Sequence, residues 1–408
     1  MCLAIFLSAC KSQYVIKTTE ISEIEQLTAD VSYLASDELE GREIGTKGEI
    51  LAAEYIAKRM EAIGLEPKGD EGYFQYFDIH LRSNPHAEKP APGDPVISGR
   101  NVVGMLNRGA DKTIAIGAHY DHLGYGKEGS LYLGEPQIHN GADDNASGVG
   151  AMLLLAERLS KMELNYNYIF IGFSGEEKGL WGSKHFVNNS TIPLPQIDAM
   201  INLDMVGRLR PDERISVHGN GTSSVWNEMI SKADNGFTYT FSPSGIGPSD
   251  HTSFYLVNIP VLFFFTGQHS DYHKPSDDVV HINYSGIQKI SNLIQGVVMQ
   301  LDKVDDIPFQ KTKDEQAETP DFKVTLGVMP DYMYSGKGMR IDAVREERPA
   351  HAADIMAGDV VIKMGDLEIF DMMSYMKALS EFEPGSTVKV TIKRGDDEIE
   401  KMVTFTKK

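Results

Sequence analysis

The chain has 408 residues, of which 41% are hydrophobic and 24% charged, a composition typical of soluble globular proteins and not of disordered or fibrous ones. This length favours two domains. The formal net charge of -20 argues against a nucleic-acid partner, which needs a basic surface, and suits a cationic ligand such as a metal ion or a peptide amine.

The first ten residues, MCLAIFLSAC, are mainly apolar and contain both cysteines of the chain, Cys2 and Cys10. The remainder therefore has no disulfide and no thiolate metal ligand. The end of this stretch, LSAC, resembles the lipobox of bacterial lipoproteins, which implies an export signal cleaved before Cys10 and a lipid on the Cys10 thiol. The resemblance implies an exported lipoprotein of the cell envelope, in the periplasm or on the cell surface, with residues 1–19 as signal and membrane tether. No later stretch approaches the roughly 20 apolar residues of a membrane span.

The next part of the chain alternates helical and strand patterns. Residues 49–63 carry apolar residues at helical spacing and end before Gly64. Four continuous apolar runs follow a Pro-rich loop at 83–99: TIAIGA before His119, YIFIGF before Ser174, AMINL before Asp204 and IPVLFFF before Thr266. Such runs are typical of strands buried on both faces, and an apolar stripe over residues 146–162 predicts a helix among them. We therefore predict, over residues 20–301, an α/β domain with a doubly wound, mostly parallel sheet and helices on both faces.

The last quarter of the chain is predicted to be a separate unit. Residues 302–320 are charged and poor in apolar residues, which indicates a linker. Residues 321–408 contain short strand patterns such as VTLGVM and TVKVTIKRG, as expected of a small mixed β/α domain.

Polar side chains follow the apolar runs, where an open α/β sheet binds its ligands. They are His119 and Asp121 after the first run, Asp143 and Asp144 before the predicted helix, Glu176 and Glu177 after the second run, Asp204 after the third and His273 after the fourth. Each group alone is a weak signal, and the pair at 143–144 is also explained as a helix cap. Together, carboxylates and imidazoles without thiolates predict two Zn²⁺ that share a bridging carboxylate, with a further carboxylate as general base.

Six motifs, in the order AHYDHLG, GADDNASG, FSGEEKGLWGS, NLDMVG, SDH and YHKPSD, resemble the di-zinc aminopeptidase family, whose relatives include glutamate carboxypeptidases and glutaminyl cyclases. The resemblance covers roughly residues 20–300. It implies the zinc exopeptidase fold, two Zn²⁺, and hydrolysis of the N-terminal residue from peptides that have a free amino terminus.

The resemblance also implies a role for each matched residue. Asp143 is expected to bridge the two zincs, with Glu177 and His273 completing one site and His119 and Asp204 the other. Glu176 is expected to be the general base, and Asp121 to orient His119. A cis peptide bond is implied between Asp143 and Asp144.

Other residues of these motifs have less certain roles. Tyr272, Asp250 and His251 resemble residues that line the substrate side, although a structural hydrogen-bonding role explains them equally well. His122, Asp144 and Asp277 are expected to support the ligands or the fold. The aromatic residues Trp181, Phe254, Tyr255 and those at 263–265 indicate an apolar substrate pocket.

The stretches SGKGMRIDAV and RPAHAADIMAGDVVIKMGDLEI resemble a PDZ domain of the bacterial protease type. This resemblance implies that a peptide or protein C-terminus binds to backbone amides of the loop formed by Gly336, Lys337, Gly338 and Met339. A purely structural cap is the alternative.

Three other functions remain open. A glutaminyl cyclase needs one zinc, whereas His119 and Asp204 together favour two. A carboxypeptidase needs cationic groups, which Arg208 and Arg210 are placed to provide. A catalytically inactive peptide-binding scaffold is the third alternative, although all five predicted ligands are present.

Overall fold

The computed structural model describes residues 21–81, 91, 93–234, 236–312, 323–331, 334, 336–345, 348–370 and 372–407. The predicted export signal and Cys10 lie outside these residues. Among the described residues, no helix combines the length and the apolar character needed to span a membrane.

The larger domain alternates helices and strands. Its helices are α1 (Glu23–Leu34), α2 (Lys47–Ile63), α3 (Gly148–Ser160), α4 (Trp181–Asn188), α5 (Trp226–Ala233), α6 (His251–Tyr255) and α7 (Tyr284–Leu301). Short 3₁₀ turns cover Asp37–Arg42, Leu194–Gln196 and Val279–His281, and a kinked turn, Ala142–Ser147, precedes α3. Its strands are β1 (Glu66–Pro67), β2 (Phe74–His80), β3 (Val96–Leu106), β4 (Thr113–His119), β5 (Asn167–Phe173), β6 (Ile197–Leu203), β7 (Arg214–His218), β8 (Thr238–Ser242) and β9 (Val261–Phe265).

The strands form one sheet in the order β1-β3-β5-β4-β6-β9-β7-β8, with β2 also paired to β3. The four predicted apolar runs are β5, β4, β6 and β9, which lie side by side and are mutually parallel. The flanking pairs β3–β5 and β7–β9 are antiparallel, so the sheet is mixed where a mostly parallel sheet was predicted. The central strands could be predicted because they are buried on both faces, whereas the outer strands β2 and β8 are partly exposed.

Both faces of the sheet are covered by helices, as predicted. Side chains of α1, α2, α3, α5 and α7 pack on one face and those of α4 and α6 on the other. Every residue of β4 and β5 is buried. The predicted helix at 49–63 is α2, which begins after its cap Thr46 and ends at Gly64, whose φ of 90° is the left-handed conformation that glycine adopts readily.

The smaller domain has its own apolar core. It contains β10 (Val324–Thr325), β11 (Val328–Pro330), β12 (Met339–Val344), β13 (Val360–Met364), β14 (Leu367–Glu368), β15 (Thr387–Arg394), β16 (Asp397–Thr404), β17 (Thr406–Lys407), α8 (Pro349–Ala352) and α9 (Met372–Ser380). Strands β11, β12, β13, β15 and β16 form a sheet in that order, while β10 pairs with β17.

Residues 302–312, the described part of the predicted linker at 302–320, pack on the larger domain. The carboxylate of Asp302 accepts hydrogen bonds from the Asn165 and Tyr166 amides and the Tyr168 hydroxyl, at 2.8 to 3.0 Å. Ile307 is buried, and the Thr312 amide donates to the Tyr255 hydroxyl. The sequence did not predict these contacts, because most of them are polar and the segment contains few apolar residues.

Replacement of Asp302 by Ala is expected to lower the free energy of unfolding of the larger domain by about 3 kcal/mol, because several buried donors lose a charged acceptor. Differential scanning calorimetry measures the shift. The matched control is Asp306→Ala, whose side chain is 80% exposed and whose loss is expected to change stability by less than about 0.5 kcal/mol. Equal effects of the two substitutions would show that Asp302 does not stabilise the larger domain through these hydrogen bonds.

Candidate active site

The predicted site residues converge at the carboxyl edge of the central strands. His119 is the last residue of β4, Asp204 directly follows β6, and Glu176 and Glu177 follow β5 within a few residues. His273 comes from the loop after β9. Because β4, β5, β6 and β9 run in the same direction, their ends bring these side chains together.

A first cluster consists of one imidazole and two carboxylates. His119 Nε2 lies 3.3 Å from Asp144 Oδ1 and 3.4 Å from Asp204 Oδ1. His119 is buried, and its Nε2 makes no hydrogen bond to any described residue. Ligand atoms of a tetrahedral zinc lie about 3.3–3.4 Å apart when the bonds are about 2.0–2.1 Å, so this cluster has the spacing of a metal site.

A second cluster shares Asp144 with the first. His273 Nε2 lies 3.2 Å from Asp144 Oδ2 and 3.2 Å from Glu177 Oε2. His122 is also close, with Nδ1 at 2.8 Å from Glu177 Oε1 and 3.9 Å from Asp144 Oδ2. We assign His273 as the candidate ligand because its nitrogen is equally near both carboxylates, whereas His122 hydrogen-bonds the other oxygen of Glu177. Asp144 and Glu177 could hold a second metal ion with His273, although His122 also lies at metal-ligand spacing from both.

Asp144, and not the predicted Asp143, lies between the two clusters. Its two oxygens face different histidines, which is the arrangement of a bridging ligand. The Asp143 carboxylate turns away: Oδ1 accepts from the Gly207 amide at 2.6 Å and from Ser147 Oγ at 3.0 Å, and Oδ2 is 3.1 Å from His269 Nε2. The prediction for Asp143 was therefore wrong by one residue.

The kinked turn explains this shift. Its cis peptide bond joins Asp144 and Asn145, not Asp143 and Asp144 as predicted. Asn145 holds the turn against the end of β6, since its Nδ2 donates to Leu203 O at 3.0 Å and its Oδ1 accepts from the Met205 amide at 3.1 Å. Adjacent aspartates have the same chemistry, so only the direction of the backbone distinguishes them.

Neighbouring groups fix the orientation of each candidate ligand. Nδ1 of His273 is 3.0 Å from Gly129 O, and Nδ1 of His119 is 3.2 Å from Asp121 O, which leaves both Nε2 atoms facing the carboxylates. Ser249 Oγ donates to Asp204 Oδ2 at 2.7 Å. The Asp121 carboxylate, predicted to orient His119, lies 3.7 Å from His119 Nδ1. It accepts a hydrogen bond from the Glu176 amide at 3.1 Å. Asp121 thus supports both residues, His119 mainly through its backbone carbonyl.

Asp277 supports the bridging residue, as expected of its predicted supporting role. Its Oδ2 accepts the amides of Asp143 and Asp144, each at 3.0 Å. Burial raises the pKa of Asp277 to about 6, and the Asp143 carboxylate acts in the same direction.

The site concentrates negative charge. Burial raises the pKa of Glu176 well above its usual value, and the carboxylates of Glu177 and Asp204 raise it further. Burial also raises the pKa of Asp204. For His119, burial lowers the pKa, but Asp204 and Glu176 outweigh this and raise it well above its ordinary value. Such groups hold protons unless cations replace them, which is the electrostatic signature of a metal centre.

A cavity of about 170 Å³ opens beside the clusters. Its polar wall contains four carboxylates, and the rest is largely apolar. The lining residues are Asp144, Glu176, Glu177, Asp204, Met205, His218, Pro248, Phe263, Phe265, Gln268, Tyr272 and His273. Of the predicted substrate residues, Tyr272 lines this cavity and stacks on His273 with 3.9 Å between ring centroids.

His251 and Asp250 do not line the cavity, in contrast to the prediction. His251 is fully buried and stacks on Phe263, with 4.7 Å between ring centroids. Asp250 is also fully buried, and burial raises its pKa to about 7. Phe263 therefore stands between His251 and the substrate space.

The predicted peptide loop of the smaller domain is only partly open. The Gly338 amide donates to Phe370 O at 2.9 Å, so it is not available to a peptide carboxylate, contrary to the prediction. Met339 is buried at the start of β12, whereas Gly336 and Lys337 are exposed. Carboxylate binding at this loop stays a prediction for those two residues.

Several residues near the site were missed from the sequence. Ser249 is the first residue of the noted SDH motif, so its position was a usable signal. Arg42 and Glu49 are buried beneath the site, but they lie in an N-terminal stretch of ordinary helical pattern that gave no signal of this role.

Comparison with known proteins places these features in context. Residues 101–298 match the model of peptidase family M28, and residues 306–404 match a PDZ domain. Aminopeptidase YwaD of Bacillus subtilis is 27% identical over 238 residues, which cover 55% of this chain and 49% of that protein. The alkaline phosphatase isozyme conversion protein of Escherichia coli is 32% identical over 167 residues, covering 40% of this chain and 46% of that protein. The chain thus spans about half the length of these relatives.

Solved structures show the same fold. A zinc aminopeptidase from Bacillus subtilis has a TM-score of 0.55 at 19% identity, covering 71% of this chain and 96% of that one. A glutaminyl cyclase of Bacteroides thetaiotaomicron, bound to N-acetylhistamine, has a TM-score of 0.53 at 18% identity, covering 67% and 97%.

Replacement of Asp144 by Asn is expected to reduce bound zinc from two ions to fewer than one per chain, because both clusters lose a carboxylate oxygen. Plasma mass spectrometry after dialysis measures the metal. The control Asp143→Asn keeps an oxygen for the Gly207 amide and is expected to retain both ions. If only the Asp143 variant lost zinc, Asp143 would be the bridging ligand, as the sequence predicted.

Proposed function

Because residues 101–298 form a domain of peptidase family M28 and a PDZ domain follows it, we propose that the chain is a two-zinc aminopeptidase that removes N-terminal residues from peptides. The single observation that carries this proposal is the pair of ligand clusters that share Asp144. His119, Asp144 and Asp204 would hold one Zn²⁺, and Asp144, Glu177 and His273 the other.

Glu176 is suited to be the general base of this reaction. Zinc ions, when bound, lower the pKa of a water molecule between them and polarise the scissile carbonyl. Glu176 lines the cavity, and its Oε2 is 4.0 Å from His119 Nε2, so it reaches the centre without being part of either close cluster. In this proposal its carboxylate accepts the proton of the attacking water and then donates it to the leaving amine.

The cavity lacks the cationic side chains that would recognise a substrate carboxylate. Four carboxylates line it, and none of its lining residues is Arg or Lys. Arg208 pairs with Asp271, and Arg210 donates to Gln268 O at 3.1 Å. Neither arginine lines the cavity, so neither supports the carboxypeptidase alternative.

The two clusters also bear on the glutaminyl cyclase alternative. A cyclase of this fold needs one zinc, whereas the ligand atoms in both clusters here have the spacing of a metal site. The apolar wall formed by Met205, Phe263 and Phe265 supports a preference for an apolar N-terminal side chain.

A panel of leucyl peptides tests the reaction. The zinc-loaded protein is expected to release free leucine from the unmodified peptide, to lose at least 100-fold in kcat/KM when the amino terminus is acetylated, and to tolerate C-terminal amidation. Chromatography of the products measures each rate. Cyclisation of an N-terminal glutamine without peptide hydrolysis, or loss of cleavage upon amidation, would contradict the proposal.

Replacement of Glu176 by Gln is expected to lower kcat by roughly 10²–10⁴-fold while both zinc ions stay bound, because the amide does not accept the water proton. Initial rates and metal content are measured on the same preparation. The control Glu228→Gln changes a fully exposed carboxylate on α5 and is expected to leave both unchanged. Near-normal turnover of the Glu176 variant would exclude it as the base.

We further propose that the PDZ domain binds a peptide or protein C-terminus and that a lipid on Cys10 holds the chain in the bacterial cell envelope. The first proposal is supported by the family match at 306–404, and the second by the LSAC sequence alone.

A further inference from the structure

An arginine outside the matched peptidase segment lies beneath the metal clusters. Arg42 ends the 3₁₀ turn Asp37–Arg42, between α1 and α2, and is completely buried. Glu40, Gly41 and Arg42 have positive φ values of 47°, 70° and 50°, so the chain turns sharply into the loops of the site. A Cβ on Gly41 would lie 2.5 Å from Gly124 O and 2.6 Å from His139 O, which shows how closely this turn is packed.

The Arg42 guanidinium donates to four backbone carbonyls, three of which lie in the segments that carry His119 and Asp144. Nε donates to Tyr120 O at 2.7 Å, and Tyr120 lies between His119 and Asp121. Nη1 and Nη2 donate to Asn140 O at 2.7 Å and Gly141 O at 3.0 Å, just before the turn that carries Asp144. Nη1 also donates to Leu34 O. One rigid fork of donors therefore fixes the distance between the His119 loop and the Asp144 turn.

The charge of Arg42 is not used in an ion pair within 4 Å with any described residue. The carboxylates of Asp121, Asp144, Asp277 and Glu177 interact with Arg42 electrostatically and favour its charged form. Burial lowers the pKa of Arg42 to about 10, which leaves it protonated at neutral pH. A fixed positive charge beneath several carboxylates reduces their mutual repulsion before metal binds.

A second residue of the same segment holds Tyr120 from its other end. The Tyr120 hydroxyl donates to Glu49 Oε1 at 2.6 Å, and Ser174 Oγ lies 3.1 Å from the same oxygen. Glu49 belongs to α2 and is completely buried. Tyr120, and with it His119, is thus clamped between Arg42 and Glu49.

We propose that Arg42 is a positioning residue of the metal centre, with Glu49 as its partner, and that residues 37–49 are part of the active site. Arg42 sets the separation of the His119 loop and the Asp144 turn, so that metal affinity and turnover depend on its fork of donors and not only on its charge. The identity of the metal rests on the proposed function, but the positioning role does not.

The test is Arg42→Lys, which keeps the charge but not the fork of donors. Zinc affinity is measured by competition with a chromophoric chelator, together with kcat, KM and the melting temperature. The expected result is a 10- to 100-fold weaker zinc affinity and a lower kcat with KM changed less than threefold. The matched control is Arg108→Lys, because Arg108 also donates to three carbonyls, those of Leu159, Ser160 and Met162, but away from the site. It is expected to leave zinc affinity unchanged.

Zinc affinity equal to that of the wild type, with only a lower melting temperature, would overturn the proposal and leave Arg42 a structural residue. If Arg42→Lys does not fold, Glu49→Gln decides by the same titration: weaker zinc affinity, by 3- to 10-fold, supports the proposal and unchanged affinity overturns it. Because chelator competition needs no substrate, the result stands even if the wild-type protein fails to cleave peptides.

Discussion

Carboxylates that converge on one edge of a sheet repel one another, and the larger domain is arranged around that repulsion. Strands β4, β5, β6 and β9 are parallel, so their ends lie at the same edge of the sheet. Glu176 and Glu177 follow β5 there, Asp204 follows β6, and the turn before α3 adds Asp144. Burial and neighbouring carboxylates raise the pKa of Glu176 and of Asp204, so the ionised state of these two groups is unfavourable without cations. Two divalent ions relieve this cost more completely than protons do, since they also satisfy the imidazole nitrogens.

A site of this kind needs stiff support, because its ligands would otherwise move apart. Asn145 holds the Asp144 turn to the end of β6, and Ser249 holds Asp204 from behind. The supporting residues come from segments distant in sequence, so the geometry of the centre depends on the whole fold of the domain. Residues 37–49 belong to this support although they lie outside the segment that matches the peptidase family. Arg42 contributes through hydrogen bonds to backbone carbonyls, and Glu49 through hydrogen bonds that it accepts from Tyr120 and Ser174.

The sequence predicted the central strands and the residues at their ends, because a run buried on both faces and a polar residue after it are local signals. Which of Asp143 and Asp144 is the bridging ligand could not be predicted from the local sequence. It depends on the direction of a kinked backbone, which is held by amides that donate to Asn145 and Asp277. Arg42 was missed for the same reason, since its partners at Tyr120, Asn140 and Gly141 are carbonyls about 80 to 100 residues away. The packing of residues 302–312 was not predicted, because polar side chains, above all Asp302, bind them to the domain.

The fold alone does not choose the reaction, since a zinc aminopeptidase and a glutaminyl cyclase resemble this domain equally well. The choice lies in side chains that the fold does not dictate. A complete His119 and Asp204 pair beside Asp144 provides a second metal position, and a second metal is useful where water must attack a peptide carbonyl. A cavity whose lining contains aromatic rings but no Arg or Lys, with the nearby arginines engaged elsewhere, then favours a substrate with an apolar side chain and gives no support for recognition of a carboxylate. Charge and ligand count together therefore support hydrolysis at the amino terminus over the other reactions of this fold.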